Sequence, residues 1–230
     1  MFDAEMDFQA YVAAGYELRR ADEFPERIDP HSGLRHLVPV GKPRLVRPRR
    51  KALDFAVGLL LQTPKPPLTS GRKPNADEIV HLERNALAIA KHVGLLTAQR
   101  DPQNSYSKRG EHNHESLWWW LRLAQVIESM FRRPAQAAEF PVGSLTLYLA
   151  CKPDGSRSMA VRPRSIEGVL TYHAAQMSAK GTESRTCEHC GTTFLSGGAG
   201  RGTDKKRSGS RFCSDECRWR HHNESRRKAR

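Results

Sequence analysis

Long apolar runs are missing from this chain. The stretch 57–61 is apolar, but no segment reaches the ~18 residues that a membrane span requires. The first seven residues, Met1-Phe-Asp-Ala-Glu-Met-Asp7, are acidic and carry no apolar core, so no signal peptide is visible and a cytoplasmic location is expected. Cysteine is scarce: there are five, of which four lie within residues 187–217, while Cys151 stands alone in an apolar stretch. An odd, locally clustered set argues against a disulfide framework and for a reducing compartment. Acidic residues are also in short supply, with 25 Asp and Glu against 38 Lys and Arg, a net charge of +13. There is no Gly-rich phosphate loop, no nucleophile elbow and no convincing carboxylate pair, so no enzymatic activity is expected. No internal repeat is apparent, and at 230 residues one or two domains are expected.

What the chain does have is concentrated at its end. Cys187-Glu-His-Cys190-Gly191 and Phe212-Cys213-Ser-Asp-Glu-Cys217 form a C-x2-C pair and a C-x3-C pair separated by 22 residues. Four thiolates at ~2.3 Å satisfy the tetrahedral preference of Zn²⁺ without strain. The first pair suits a tight knuckle, with Gly191 free to adopt the positive φ that such a turn needs. The second pair suits a helix start: Ser214 as N-cap, Asp215 and Glu216 at the positive end of the dipole, and Cys213 one turn from Cys217. A knuckle and a helix N-terminus around one metal is a treble-clef-like arrangement. One structural Zn²⁺ held by Cys187, Cys190, Cys213 and Cys217 is therefore expected. Two disulfides, or unrelated buried thiols, are the alternatives.

The same region is the most basic. Residues 185–230 hold twelve Lys and Arg against five Asp and Glu, which points to a polyanion as partner. The candidate nucleic-acid contacts are Arg201, Lys205, Lys206, Arg207 and Arg211 in a Gly-rich loop over 196–211, and Arg218, Arg220, Arg226, Arg227 and Lys228 on the terminal helix. That loop reads equally well as a solvated insert. Trp219 is expected to cover the zinc knuckle or the preceding helix.

Upstream, residues 4–20 carry Phe8, Tyr11, Val12, Gly15 and Leu18 at spacings that suggest an amphipathic helix, and residues 22–51 are Pro- and Arg-rich and read as irregular. Helices are expected over 52–61, 78–93, 114–133 and 165–180, with Asn75 or Asp77 as a cap and Gly94 and Gly181 as stops. The run Trp118-Trp119-Trp120 spans ~200° of helix surface, so one face cannot bury all three indoles. Alternation from Ser144 to Cys151, a Pro153-Asp-Gly155 turn and a return over 158–162 predict a hairpin.

This order of parts resembles the bacterial ABATE-domain proteins that end in a CGNR-type zinc finger. The residues that carry the resemblance are Ala52-Leu-Asp-Phe55, Val93-Gly-Leu-Leu96, Arg162-Pro-Arg-Ser-Ile166, Cys187-x2-Cys190-Gly-x2-Phe194 and Arg211-Phe-Cys-Ser214. It covers about 51–230. Where that family reads Cys-Gly-Asn-Arg, this chain has Cys217-Arg218-Trp219-Arg220, its last cysteine pair is one residue closer, and its 196–211 loop is longer. The resemblance implies a transcription regulator.

The expected fold is mainly α with a small β-hairpin: an N-terminal helix and extension over 1–51, a helical domain over 52–181 with its hairpin near 144–162, and a treble-clef-like zinc finger over 182–230. The expected function is DNA binding by a transcription regulator, whose helical half senses a small-molecule effector or forms a homodimer; no membrane partner is expected. RNA is a further partner class that no recognisable module decides. The alternatives are a protein–protein adaptor with a structural finger and a metal-dependent nuclease, the latter suggested by His112-Asn-His114.

Overall fold

The structure is a computed structural model and describes residues 10–20, 34–41, 44–66, 72–96, 115–132, 145–151, 157–197 and 209–228. His112 and His114 lie outside the described residues. Among those described are five helices and nine short strands in four small antiparallel sheets.

The helices follow from apolar spacing and caps. In α1, Arg50–Gln62, the residues Leu53, Ala56, Val57, Leu60 and Leu61 are buried at steps of one, three and four, which places them on one stripe. Its C-terminus is closed by Lys65. That ammonium is 3% exposed, donates to the carbonyls of Leu60 and Thr63 at 3.1 and 2.9 Å, and lies 3.6 Å from the Glu128 carboxylate. A cation on the last carbonyls answers both the orphan acceptors and the dipole. The Pro64-Lys-Pro-Pro67 cluster thus stops the helix partly through its lysine.

Helix α2, Ala76–Val93, begins with a full capping box: Asn75 accepts from the Glu78 amide and Glu78 accepts from the Asn75 amide. Gly94, at φ 89°, ends it. Helix α3, Leu117–Arg132, carries the three tryptophans. Trp120 is sealed and Trp118 is half-buried beneath the Arg122 guanidinium at 5.6 Å. Trp119 stands 46% exposed with its ring edge-on to Trp118, so the expected surplus indole remains in contact with solvent. Helix α4, Ile166–Ala179, is capped by Ser165 and followed by Gly181 at φ 74°. Its His173 meets Asp54 of α1 at 2.8 Å, a polar tie between two buried helix faces. Helix α1 packs against α2, α3 and α4, and Leu60, Ile89, Trp120, Ile127 and Leu170 share one core.

The N-terminal region differs from the sequence expectation. In place of a helix within residues 4–20 there are β1, Ala10–Val12, and β2, Gly15–Arg19. The segment expected as irregular provides β3, His36–Val40, and β4, Arg44–Val46. Strand β1 pairs with β4 and β2 with β3, while β5, Glu115–Ser116, adds to the far edge of β3. The physical reason is a period of two that competes with the helical spacing. Tyr16 and Leu18 pack on the core, while Glu17 and Arg19 pair with each other outside. Pro39 is tolerated because β5 reaches only His36 and Leu37. Leu34 and Leu37 join the helical core, so this region is part of the packed body.

Strands β6, Leu145–Cys151, and β7, Arg157–Pro163, form the expected hairpin. A second hairpin, β8, Thr182–Thr186, with β9, Thr193–Gly197, was not legible as strands; it flanks the first cysteine pair and leans on α3 and α1 respectively.

Candidate metal centre

The two cysteine pairs meet at one point. Cys187 and Cys190 lie in the turn between β8 and β9, where Cys187 and Thr192 close the hairpin at 3.0 Å and Gly191, at φ 71°, reverses the chain. Only glycine takes that left-handed angle without strain. Cys213 immediately precedes α5, Asp215–Lys228, and Cys217 lies in its first turn. Ser214 caps this helix as expected, its hydroxyl accepting from the Cys217 amide at 3.1 Å. The cap and the second ligand are thus fixed by the same turn.

All four Sγ atoms lie within 4.8 Å of one another, with Cys190 to Cys213 at 3.6 Å and Cys213 to Cys217 at 3.5 Å. A tetrahedron with ~2.3 Å metal–sulfur bonds has edges of ~3.8 Å, close to these separations. Disulfide bonding requires ~2.0 Å, and all four thiols are free. The disulfide alternative is thereby removed, and the four cysteines form a cluster able to hold one metal ion.

Electrostatics sharpen this. Burial pushes the Cys187 thiol up, but the amides of Cys190, Cys213 and His189 outweigh it and bring it down to about 6. The Thr192 hydroxyl and amide hold Cys190 below the ordinary thiol value. Cys213 is pushed up to about 12 by burial, and then by the neighbouring sulfurs of Cys217, Cys190 and Cys187. Without a cation this cluster resists full ionisation, because sulfurs at van der Waals contact cannot all carry charge. A dication removes that conflict.

Side chains around the sulfurs clamp the two halves together. Glu188 donates its amide to the Arg211 carbonyl at 3.1 Å and its carboxylate receives the Arg211 guanidinium, which holds that carboxyl below the usual range. His189 lies 3.7 Å from Glu224 of α5, and Phe212 packs on His221 with ring centroids 5.1 Å apart. Of these, the sequence offered only the residue types; the pairings required the fold.

The expected polyanion contacts are spread unevenly. Arg201, Lys205, Lys206 and Arg207 lie outside the described residues. Arg211 is engaged by Glu188 and lies over the Phe212 ring at 5.8 Å. On α5, Arg218 pairs with Asp215 at 3.3 Å and Arg220 with Glu216 at 2.5 Å, both at the exposed surface. Arg226 and Arg227 are exposed and form no ion pair with any described residue; Lys228 ends the helix. Trp219 does not cover the knuckle. It is 66% exposed, because Cys217 and His221 occupy the inward face of α5 and Trp219 lies ~160–200° around from them. Phe212, whose packing the sequence did not suggest, lies instead against His221 and His222 of α5. No family model, curated protein or solved structure matches this chain.

Proposed function

We propose that this chain is a nucleic-acid-binding protein whose C-terminal finger is a treble clef around one structural Zn²⁺, and that it acts as a DNA-binding transcription regulator. The observation that carries this reading is the joining of four thiols at the root of a helix whose outer end bears Arg226 and Arg227 free of acidic partners among the described residues. Four soft thiolates in a tetrahedral set favour zinc over the harder divalent ions, and with all four positions supplied by protein no site is left for catalysis. The metal then makes a short, polar, otherwise coreless segment rigid, and α5 is presented to phosphates as a fixed element.

The test uses the full chain. Elemental analysis is expected to return one zinc per chain, and a short DNA duplex is expected to be retarded with log K falling by ~0.9 per phosphate neutralised as log salt rises. Absence of a stoichiometric metal, or a flat salt response, overturns the reading. A protein–protein adaptor is the second reading, favoured by the exposed Trp119 on the helical half. It is selected if zinc is present and no nucleic acid binds.

A further inference from the structure

Helix α5 carries an aromatic ring where a purely phosphate-binding helix has no use for one. Trp219 is 66% exposed, the largest such exposure among the large apolar side chains described. It makes no hydrogen bond, ring contact or cation–π contact with any described residue. Its neighbours on the helix surface are Asp215 and Glu216, four and three residues before it, and His222 and Asn223, three and four residues on, with Arg226 two turns further along the same side. Arg218 and Arg220, the residues flanking it in sequence, are drawn back along the helix toward Asp215 and Glu216. The indole is therefore left in solvent on the face opposite the sulfurs, two turns from Arg226, which has no acidic partner among the described residues.

An exposed indole is costly in water and is relieved only by a partner that covers its face. Within nucleic acid, phosphates and sugars offer little flat apolar surface, and an intact duplex shows only base edges in its grooves. The flat surface that matches an indole is the face of a base that is unpaired or unstacked. Arg226, on the same side, supplies charge for the adjoining phosphate.

We propose that Trp219 stacks on an exposed base, so that the finger prefers nucleic acid containing unpaired bases over a closed duplex. The proposal rests on the nucleic-acid reading above and adds to it the feature that is recognised. Arg226 and Arg227 provide the phosphate attraction common to all targets, and Trp219 provides the discrimination.

The experiment measures fluorescence anisotropy of the metal-loaded full chain with three labelled probes: a 16-mer duplex, the same duplex with a central bulge of unpaired bases, and one of its strands alone. The wild type is expected to bind the bulged and single-stranded probes about 5- to 150-fold more tightly than the duplex, the range of one base–aromatic stack. Trp219→Ala is expected to reduce those two affinities to the duplex level without altering the salt slope, and Trp219→Phe to retain most of the preference. The double variant R226A/R227A is expected to weaken all three probes alike and to lower the duplex salt slope by about 1.8. One metal per chain in each variant shows that the finger has folded.

If duplex binding persists but the wild type shows no preference, or Trp219→Ala keeps it, the stacking proposal fails while the nucleic-acid reading stands. If no probe is bound at all, both fail. Loss of self-association in Trp219→Ala under sedimentation, with probe affinities unchanged, assigns the ring to a protein contact and likewise overturns the proposal.

Discussion

In the helical half, Leu60, Trp120, Ile127 and Leu170 are sealed from water by one another. In the finger, Cys187 and Phe194 are the buried apolar side chains among the described residues after α4, and none of residues 215–227 of α5 is buried. One region is held by apolar area removed from water, at roughly 25 cal/mol per Å². The other has nothing comparable and depends on four sulfurs, one clamp between Glu188 and Arg211, and a ring contact between Phe212 and His221. The two regions join where β9 leans on α1 and β8 on α3. A segment with so little core can hold its shape only through a cross-link, and the sulfur cluster is the candidate.

The largest difference between the two regions is expected when the sulfur cluster is kept from holding a metal. Chelation, or Cys213→Ser, is expected to unfold residues 187–228, since structural zinc contributes ~10–16 kcal/mol of apparent binding free energy to segments of this kind. Limited proteolysis should then cut beyond β8 while the helical body keeps its cooperative melt. Simultaneous loss of both regions would show that the finger and the core are one folding unit.

The reverse cut comes next. Trp120→Ala should cost ~3–5 kcal/mol of global stability by denaturant titration and leave the metal stoichiometry unchanged. Lys65→Ala should fall in a similar range, ~3–5 kcal/mol, because it strips a buried cation from the end of α1 and leaves the Glu128 carboxylate half-buried without it.

A pH titration probes the cluster directly. Cys213, raised to about 12, keeps its proton at neutral pH until a metal displaces it, whereas Cys187, lowered to about 6, is already a thiolate at neutral pH and holds a proton against the metal only below that value. Metal affinity should therefore climb at least ~tenfold per pH unit between pH 6 and 8, and fall more steeply below pH 6, as one more proton competes. Competition against a chelator of known pH dependence measures this. The smallest effect is expected from Glu188→Gln, which removes an exposed ion pair and should leave the denaturation profile and the metal-binding stoichiometry close to those of the wild type.

The four central helices were legible because their stripes and caps are local. Asn75 with Glu78, Ser165 before α4, and Gly94 and Gly181 after α2 and α4 each act within a few residues. The four-cysteine cluster was legible for the same reason: C-x2-C and C-x3-C each aim two sulfurs at a point through short backbone geometry. Strands β1 to β4 were not, because a strand is defined by a partner that lies elsewhere in the chain. The spacing of Tyr11, Val12, Gly15 and Leu18 suits a helix until β3 and β4 arrive to pair with them.

From sequence alone came the apolar stripes, the caps, the ligand spacings and the excess of positive charge, all properties of residue type and short separation. Tertiary structure alone decided that Arg211 serves Glu188, that Phe212 packs on His221, and that Trp219 is left in water. Each of these depends on which surfaces two distant segments turn toward each other. That is set by packing across the molecule, and no local pattern encodes it.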